Sequence, residues 1–107
     1  MNAEALKGHL DLLLLAIVEP GASHGYGIIE QLRQRSGETF DLAEGTVYPA
    51  LHRLERAGLL RSFWQTESGR KRRIYELTTA GRTALSDHRA EWRLFAKGMN
   101  DVLGEVS

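Results

Sequence analysis

From Gly45 to Leu60 the chain reads Gly-Thr-Val-Tyr-Pro-Ala-Leu-His-Arg-Leu-Glu-Arg-Ala-Gly-Leu-Leu, and the basic turn Gly69-Arg70-Lys71-Arg72-Arg73 follows closely behind. No other feature constrains the fold as tightly. Val47, Leu51 and Leu54 recur at i, i+4 and i+7, which draws one apolar stripe on a helix and leaves Thr46, Pro49, Arg53 and Arg56 on another face. One face packs and the other is open to a partner.

Charge indicates the partner's chemistry. From His52 to Arg73 the chain carries seven Arg or Lys (53, 56, 61, 70, 71, 72, 73) against two acids (Glu55, Glu67), a local balance of +5. The whole chain is neutral, with 14 cations and 14 acids, so the remainder carries −5. The field near a surface is set by local clustering, and a neutral chain with one concentrated basic patch still suits a polyanion. An isolated run of four cations also reads as a solvated turn. Coupled to a helix of this pattern, it reads as a wing that meets phosphates.

Composition excludes several classes. At 107 residues the chain is long enough for a modest core and short enough that oligomerisation would help it bury apolar surface. There are no cysteines, hence no disulfide framework, thiolate nucleophile or cysteine metal site. The longest apolar run, Leu12 to Val18, is seven residues, against roughly 20 for a bilayer span. Met1-Asn2-Ala3-Glu4 lacks the basic start of a secretory signal, so the expected compartment is the cytoplasm and no membrane partner is expected.

The pattern predicts four helices and one hairpin. A first helix is expected over about Ala5 to Val18, apolar nearly all round and therefore covered on two sides. Glu19-Pro20-Gly21-Ala22 stops it. Ser23 is a candidate cap for a second helix with Tyr26, Ile29 and Leu32 facing inward, and His24 helps to open that helix. After a connection over Gly37 to Leu42, the third helix is expected from Ala43 to Ala57 with Gly58 as its stop. Pro49 forfeits one backbone bond there, but the carbonyl it presses on belongs to Gly45 in the first turn, which limits the damage. Leu59 to Thr66 and Arg72 to Thr78 read as strands joined by Glu67-Ser68-Gly69-Arg70-Lys71. In the second, Arg73 falls on the inward face with Tyr75. Thr79 is the expected cap of a last helix running to about Leu103, roughly 37 Å long. Within it Leu85, His88, Trp92, Phe95, Met99, Val102 and Val106 are spaced 3, 4, 3, 4, 3, 4, a heptad seam.

This order of elements resembles the PadR family of winged-helix transcriptional regulators. The matching residues are Leu6-Lys7-Gly8-His9-Leu10, His24-Gly25-Tyr26-Gly27, Gly45-Thr46-Val47-Tyr48-Pro49-Ala50-Leu51 with Leu54-Glu55 and Gly58-Leu59-Leu60, Gly69-Arg70 with Arg72-Arg73-Ile74-Tyr75, and Leu77-Thr78-Thr79-Ala80-Gly81. The resemblance covers nearly the whole chain. Where the family often has Ser-Pro this chain has Ala43-Glu44, so the cap of the third helix falls to Asp41 or solvent, and Lys71 stands where proline is common in the wing. With about one helix after the wing, the chain is similar to the short branch of the family.

The resemblance implies a mainly α fold with a small β-hairpin wing: a winged helix-turn-helix DNA-binding domain over residues 1–78, and a long C-terminal dimerisation helix over 79–107. It implies a homodimeric repressor on an inverted-repeat operator in double-stranded DNA. The DNA-facing set is Tyr26, Thr46, Tyr48, Pro49, His52, Arg53, Arg70, Lys71 and Arg72, with Arg53 suited to guanine and the hydroxyls to phosphate. For Tyr26, packing under the third helix is an equal alternative. Leu6, Leu10, Leu13, Leu85, His88, Trp92, Phe95, Met99 and Val102 are the expected dimer interface. Trp92, Phe95 and Met99 are either simply its core or the lining of a site for a small planar hydrophobic effector.

An enzyme reading finds little. His9, His24, His52 and His88 show no helical i, i+4 spacing, and no nucleophile motif, phosphate-cradling loop or carboxylate pair accompanies them. No catalytic residue, metal or cofactor is expected. The competing reading is a winged-helix adaptor that binds protein, for which five excess cations on one segment have no use.

Overall fold

The computed structural model describes residues 3–105, and its first departure from the expected helices lies at Gly8. A 3-10 turn over Ala3–Leu6 precedes helix α1, which spans Leu10–Val18. Gly8 between them takes φ 87°, a left-handed conformation that interrupts the helix expected from Ala5. The apolar period runs straight through the glycine, so periodicity alone reads one helix. Leu6 is buried beside the core of its own chain.

Helices α2 (Gly25–Arg35) and α3 (Glu44–Arg56) pack on α1. Leu14, Leu15, Ile17 and Val18 of α1, Ile28, Ile29 and Leu32 of α2, and Val47, Ala50, Leu51 and Leu54 of α3 form one buried cluster. The stripe expected on α3 therefore faces the core. On α2 the inward residue is Ile28 in place of Tyr26, which is 57% exposed. No side chain caps α3; its N-cap is Ala43, and Asp41 does not serve.

The wing is a three-stranded antiparallel sheet. Strands β2 (Leu60–Glu67) and β3 (Arg70–Leu77) form the hairpin, and a two-residue strand β1 (Ser23–His24) pairs with Tyr75 and Ile74 of β3, giving the order β1-β3-β2. Ser23 is thus a strand residue. The cap of α2 is His24, whose Nδ1 accepts from the Gly27 N–H at 3.0 Å. The hairpin is also tighter than expected: pairing continues to Glu67 and Arg70, and the link is Ser68-Gly69 with φ 52° and 77°. Two successive positive φ values make a type I′ turn, whose twist matches that of the strands it joins. Arg70 and Lys71 consequently sit on a paired strand opposite Glu67 and Thr66.

Helix α4 spans Thr79–Leu103. Its cap is Thr78, one residue before the expected one, whose Oγ1 accepts from the Gly81 N–H at 2.9 Å and donates to the Gly58 carbonyl at 2.6 Å. Leu85 in its second turn is fully buried. Beyond it the helix projects, and the molecule measures 53 × 28 × 21 Å. Two residues expected in the inter-subunit seam, Leu6 and Leu85, are therefore spent within the protomer, because heptad spacing marks a stripe without saying which chain covers it. Val106, the last seam position, and Met1 and Asn2 of the N-terminal stretch lie outside the described residues. Among the described residues no helix is long and apolar enough to cross a membrane.

Candidate nucleic-acid interface

The stripe buried on α3 determines what its open face offers. At 100° per residue, the direction opposite Val47, Leu51 and Leu54 is held by Gly45, Pro49, His52 and Arg56, all exposed. Arg53 leans to the α1 side, where its Nη1 meets both carboxylate oxygens of Asp11 at 2.9 Å. Thr46 shares that flank by helical position and is half-buried. On the opposite flank the Tyr48 ring lies against Gly25, so closely that a Cβ at residue 25 would overlap it. The glycine after His24 is a requirement of this contact. Burial, with Glu44 nearby, pushes the Tyr48 phenol above its ordinary pKa.

The wing's cations divide into held and open groups. Arg73 lies over the Trp64 ring at 5.3 Å, donates to Ser62 Oγ at 2.9 Å and sits 3.5 Å from Glu55. Arg61 pairs with Glu76. Arg56, Arg70 and Lys71 have no carboxylate within 4.0 Å among the described residues. Arg72 Nη1 lies 2.9 Å from His24 Nε2.

These elements enclose a cleft of about 490 Å³ lined by His24, Gly25, Tyr26, Tyr48 and the strand from Arg70 to Arg73. It forms because β1 is two residues long and covers only Ile74 and Tyr75, so β3 runs on toward its tip with that edge open. No acid lines it. The cleft thus gathers Tyr26, Tyr48, Arg70, Lys71 and Arg72 from the expected set, whereas Thr46, Pro49, His52 and Arg53 lie on α3 outside it. His24 belongs to the site as well. Its sequence signal was the cap position, which a histidine at the start of an amphipathic helix only weakly announces.

A second surface lies at the other end. Trp92, Phe95, Met99 and Val102 are exposed along α4, Val102 at 87%. His9 joins Trp92 and Phe95 in an aromatic cluster with ring centroids 5.3 to 6.0 Å apart. Trp92, Phe95, Leu12, Leu13, Ala16 and Phe40 line an open apolar groove of about 590 Å³ between α1 and α4. Met99 lies beyond the groove on the projecting helix. Leu10, Leu13 and His88 are half-buried against their own chain. Arg89 ties the two helices through a double hydrogen bond to Glu19, at 2.9 and 3.2 Å, which holds the Glu19 carboxyl below the ordinary range.

The model of the PadR-like family of transcriptional regulators matches residues 14–87. A transcriptional regulator of Mycobacterium tuberculosis is 40% identical over 84 residues, covering 78% of this chain and 73% of that protein. Among solved structures, a PadR family transcription regulator from Clostridium difficile is 38% identical with a TM-score of 0.81, over 89% of this chain and 98% of that one. A transcriptional regulator from Clostridium thermocellum superimposes with a TM-score of 0.84 at 29% identity, over 92% and 97% of the two chains.

Proposed function

The chain belongs to the PadR family of transcriptional regulators, and we propose that it is a repressor that binds an inverted-repeat operator as a homodimer. In this reading α3 enters the major groove with Gly45, Pro49, His52 and Arg56 leading, Thr46 and Arg53 on one flank and Tyr48 on the other. The wing follows the neighbouring backbone with Arg70, Lys71 and Arg72, and Tyr26 reaches phosphate from the start of α2. The observation that carries the reading is the set of cations without a carboxylate partner among the described residues: Arg70 and Lys71, which line an acid-free cleft, and Arg56 on the exposed face of α3. Groups so placed gain most from a ligand that brings its own negative charge.

The dimer is proposed to form by packing α4 of one protomer on α1 and α4 of the other. The exposed Trp92, Phe95, Met99 and Val102 support it, since an apolar stripe of this length on a projecting helix is left largely uncovered by the described residues. Residues 1–78 then read DNA while 79–107 set the distance between the two recognition helices. A small planar hydrophobic molecule stacked on Trp92 and Phe95 would change that distance and release DNA, provided that it binds one dimer geometry better than the other.

Selection of bound fragments from the host's genomic DNA, with and without planar aromatic compounds, tests the function. The expected product is a two-fold symmetric sequence whose recovery falls when an effector is present. Recovery of fragments with no shared sequence would contradict specific recognition.

A further inference from the structure

We propose that His24 and Arg72 form a paired-donor seat for a single backbone phosphate of DNA, in which His24 donates from Nε2. The proposal rests on the DNA-binding reading above and assigns a ligand to a residue that reading leaves as a helix cap. Two contacts to the imidazole ring carry it. Nδ1 lies 3.0 Å from the Gly27 backbone nitrogen, and Nε2 lies 2.9 Å from Arg72 Nη1. Both partners are donors without acceptor capacity. A neutral imidazole has one acceptor nitrogen and an imidazolium none, so only one of these contacts is a hydrogen bond at any time.

The Gly27 N–H has the stronger hold on the ring. It belongs to the first turn of α2, where no carbonyl of the helix is within reach, and its surroundings are tight: a Cβ on Gly27 would stand 2.8 Å from Ser23 Oγ and 3.2 Å from the His24 ring. Arg72 has a long side chain with five N–H donors and room to turn within the cleft. The ring proton therefore resides on Nε2. Two N–H donors, one of them cationic, then face each other across 2.9 Å, and neither can accept from the other. An oxyanion placed over the pair accepts from both and removes the mismatch.

The cleft argues for a phosphodiester in particular. Its volume of about 490 Å³ is open along β3, with Arg70 and Lys71 continuing toward the wing tip and the Tyr26 and Tyr48 rings at its other side. A strand of successive phosphates uses that length, while a free anion would fill one end.

The test uses the selected operator duplex and the variants His24→Asn, Arg72→Ala and both together. Asparagine is among the best N-cap residues, so His24→Asn keeps an acceptor for Gly27 while losing the Nε2 donor, and unfolding curves matching wild type verify the cap. Each single variant should bind about tenfold more weakly. Only Arg72→Ala should lower the log–log salt slope, by roughly 0.9. The double variant should lose less than the product of the two, because both donors serve one phosphate. Replacing that phosphate by an uncharged methylphosphonate should weaken wild type and leave the double variant unaffected.

Wild-type affinity in His24→Asn overturns the proposal. If Arg70→Ala and Lys71→Ala still weaken binding in that case, the DNA reading itself survives; if they too are without effect, that reading falls as well. A shift of the His24 ring nitrogens caused by inorganic phosphate at equal ionic strength, with none caused by duplex, would assign the seat to a free anion and overturn its assignment to DNA.

Discussion

The two ends of the molecule leave opposite demands unmet. At the wing and the open face of α3, most exposed side chains are polar or cationic, with Phe63 and Trp64 of β2 as large apolar exceptions, and Arg56, Arg70 and Lys71 lack carboxylate partners among the described residues. Along the outer half of α4, one stripe of exposed side chains is apolar, with Trp92 at 44%, Phe95 at 51% and Met99 at 46% exposure, beside exposed charges such as Arg93 and Lys97. Water satisfies the first set reasonably well. It does not satisfy the second, and the penalty for leaving such a stripe open grows with apolar area. The contrast teaches that assembly should be tight and weakly dependent on salt, while association at the wing should be adjustable and strongly salt-dependent.

The largest effect should come from breaking the apolar end. Trp92→Asp places an unpaired charge in the seam at a cost of several kcal/mol. Light scattering at micromolar concentration should then report monomer where wild type reports dimer, and a wild-type monomer would remove the apolar half of the contrast. Next comes a test of where the seam begins. Leu85→Ala should destabilise the folded protomer by about 2–5 kcal/mol in denaturant unfolding, whereas Val102→Ala should chiefly raise the dimer dissociation constant. Equal effects of the two on dissociation would mean that Leu85 belongs to the interface after all.

On the polar side, Arg53→Ala should cost about 1–3 kcal/mol on the best operator and relax sequence preference at one base pair. Loss spread evenly over all sequences would instead make Arg53 a phosphate contact, as its flank position beside Asp11 allows. The smallest effect concerns acid. Arg89 holds the Glu19 carboxyl below its ordinary range, so the tie between α1 and α4 is fully present above the ordinary glutamate range and is lost as pH falls through the depressed value. Thermal unfolding of Glu19→Gln and wild type should therefore converge at low pH, and a constant gap at every pH would show that the carboxylate's charge contributes nothing.

Much of this was legible in the chain because the signals were local. The α3 stripe, the hairpin and the extent of α4 each follow from spacing within one segment, and the PadR-like motifs gave their order. What escaped depended on partners distant in sequence or on single backbone angles. Strand β1 is two residues long and exists only because β3 lies beside it. Gly8 turns the chain without disturbing the leucine period. Asp11 is 42 positions from Arg53, and no pattern on either helix announces their pairing. Leu6 and Leu85 carry the same apolar signal whether their own chain or a second copy covers them.

The polar half of the contrast is tested most directly by the salt dependence of operator binding in wild type and in a variant with Arg70, Lys71 and Arg72 all changed to alanine. Removing a cation that meets a phosphate should lower the log–log slope by roughly 0.9, so the triple variant should be shallower by about 2.7 and weaker on every sequence. Unchanged affinity and slope would show that the basic strand is only a solvated edge, and would contradict the wing as a DNA-binding element.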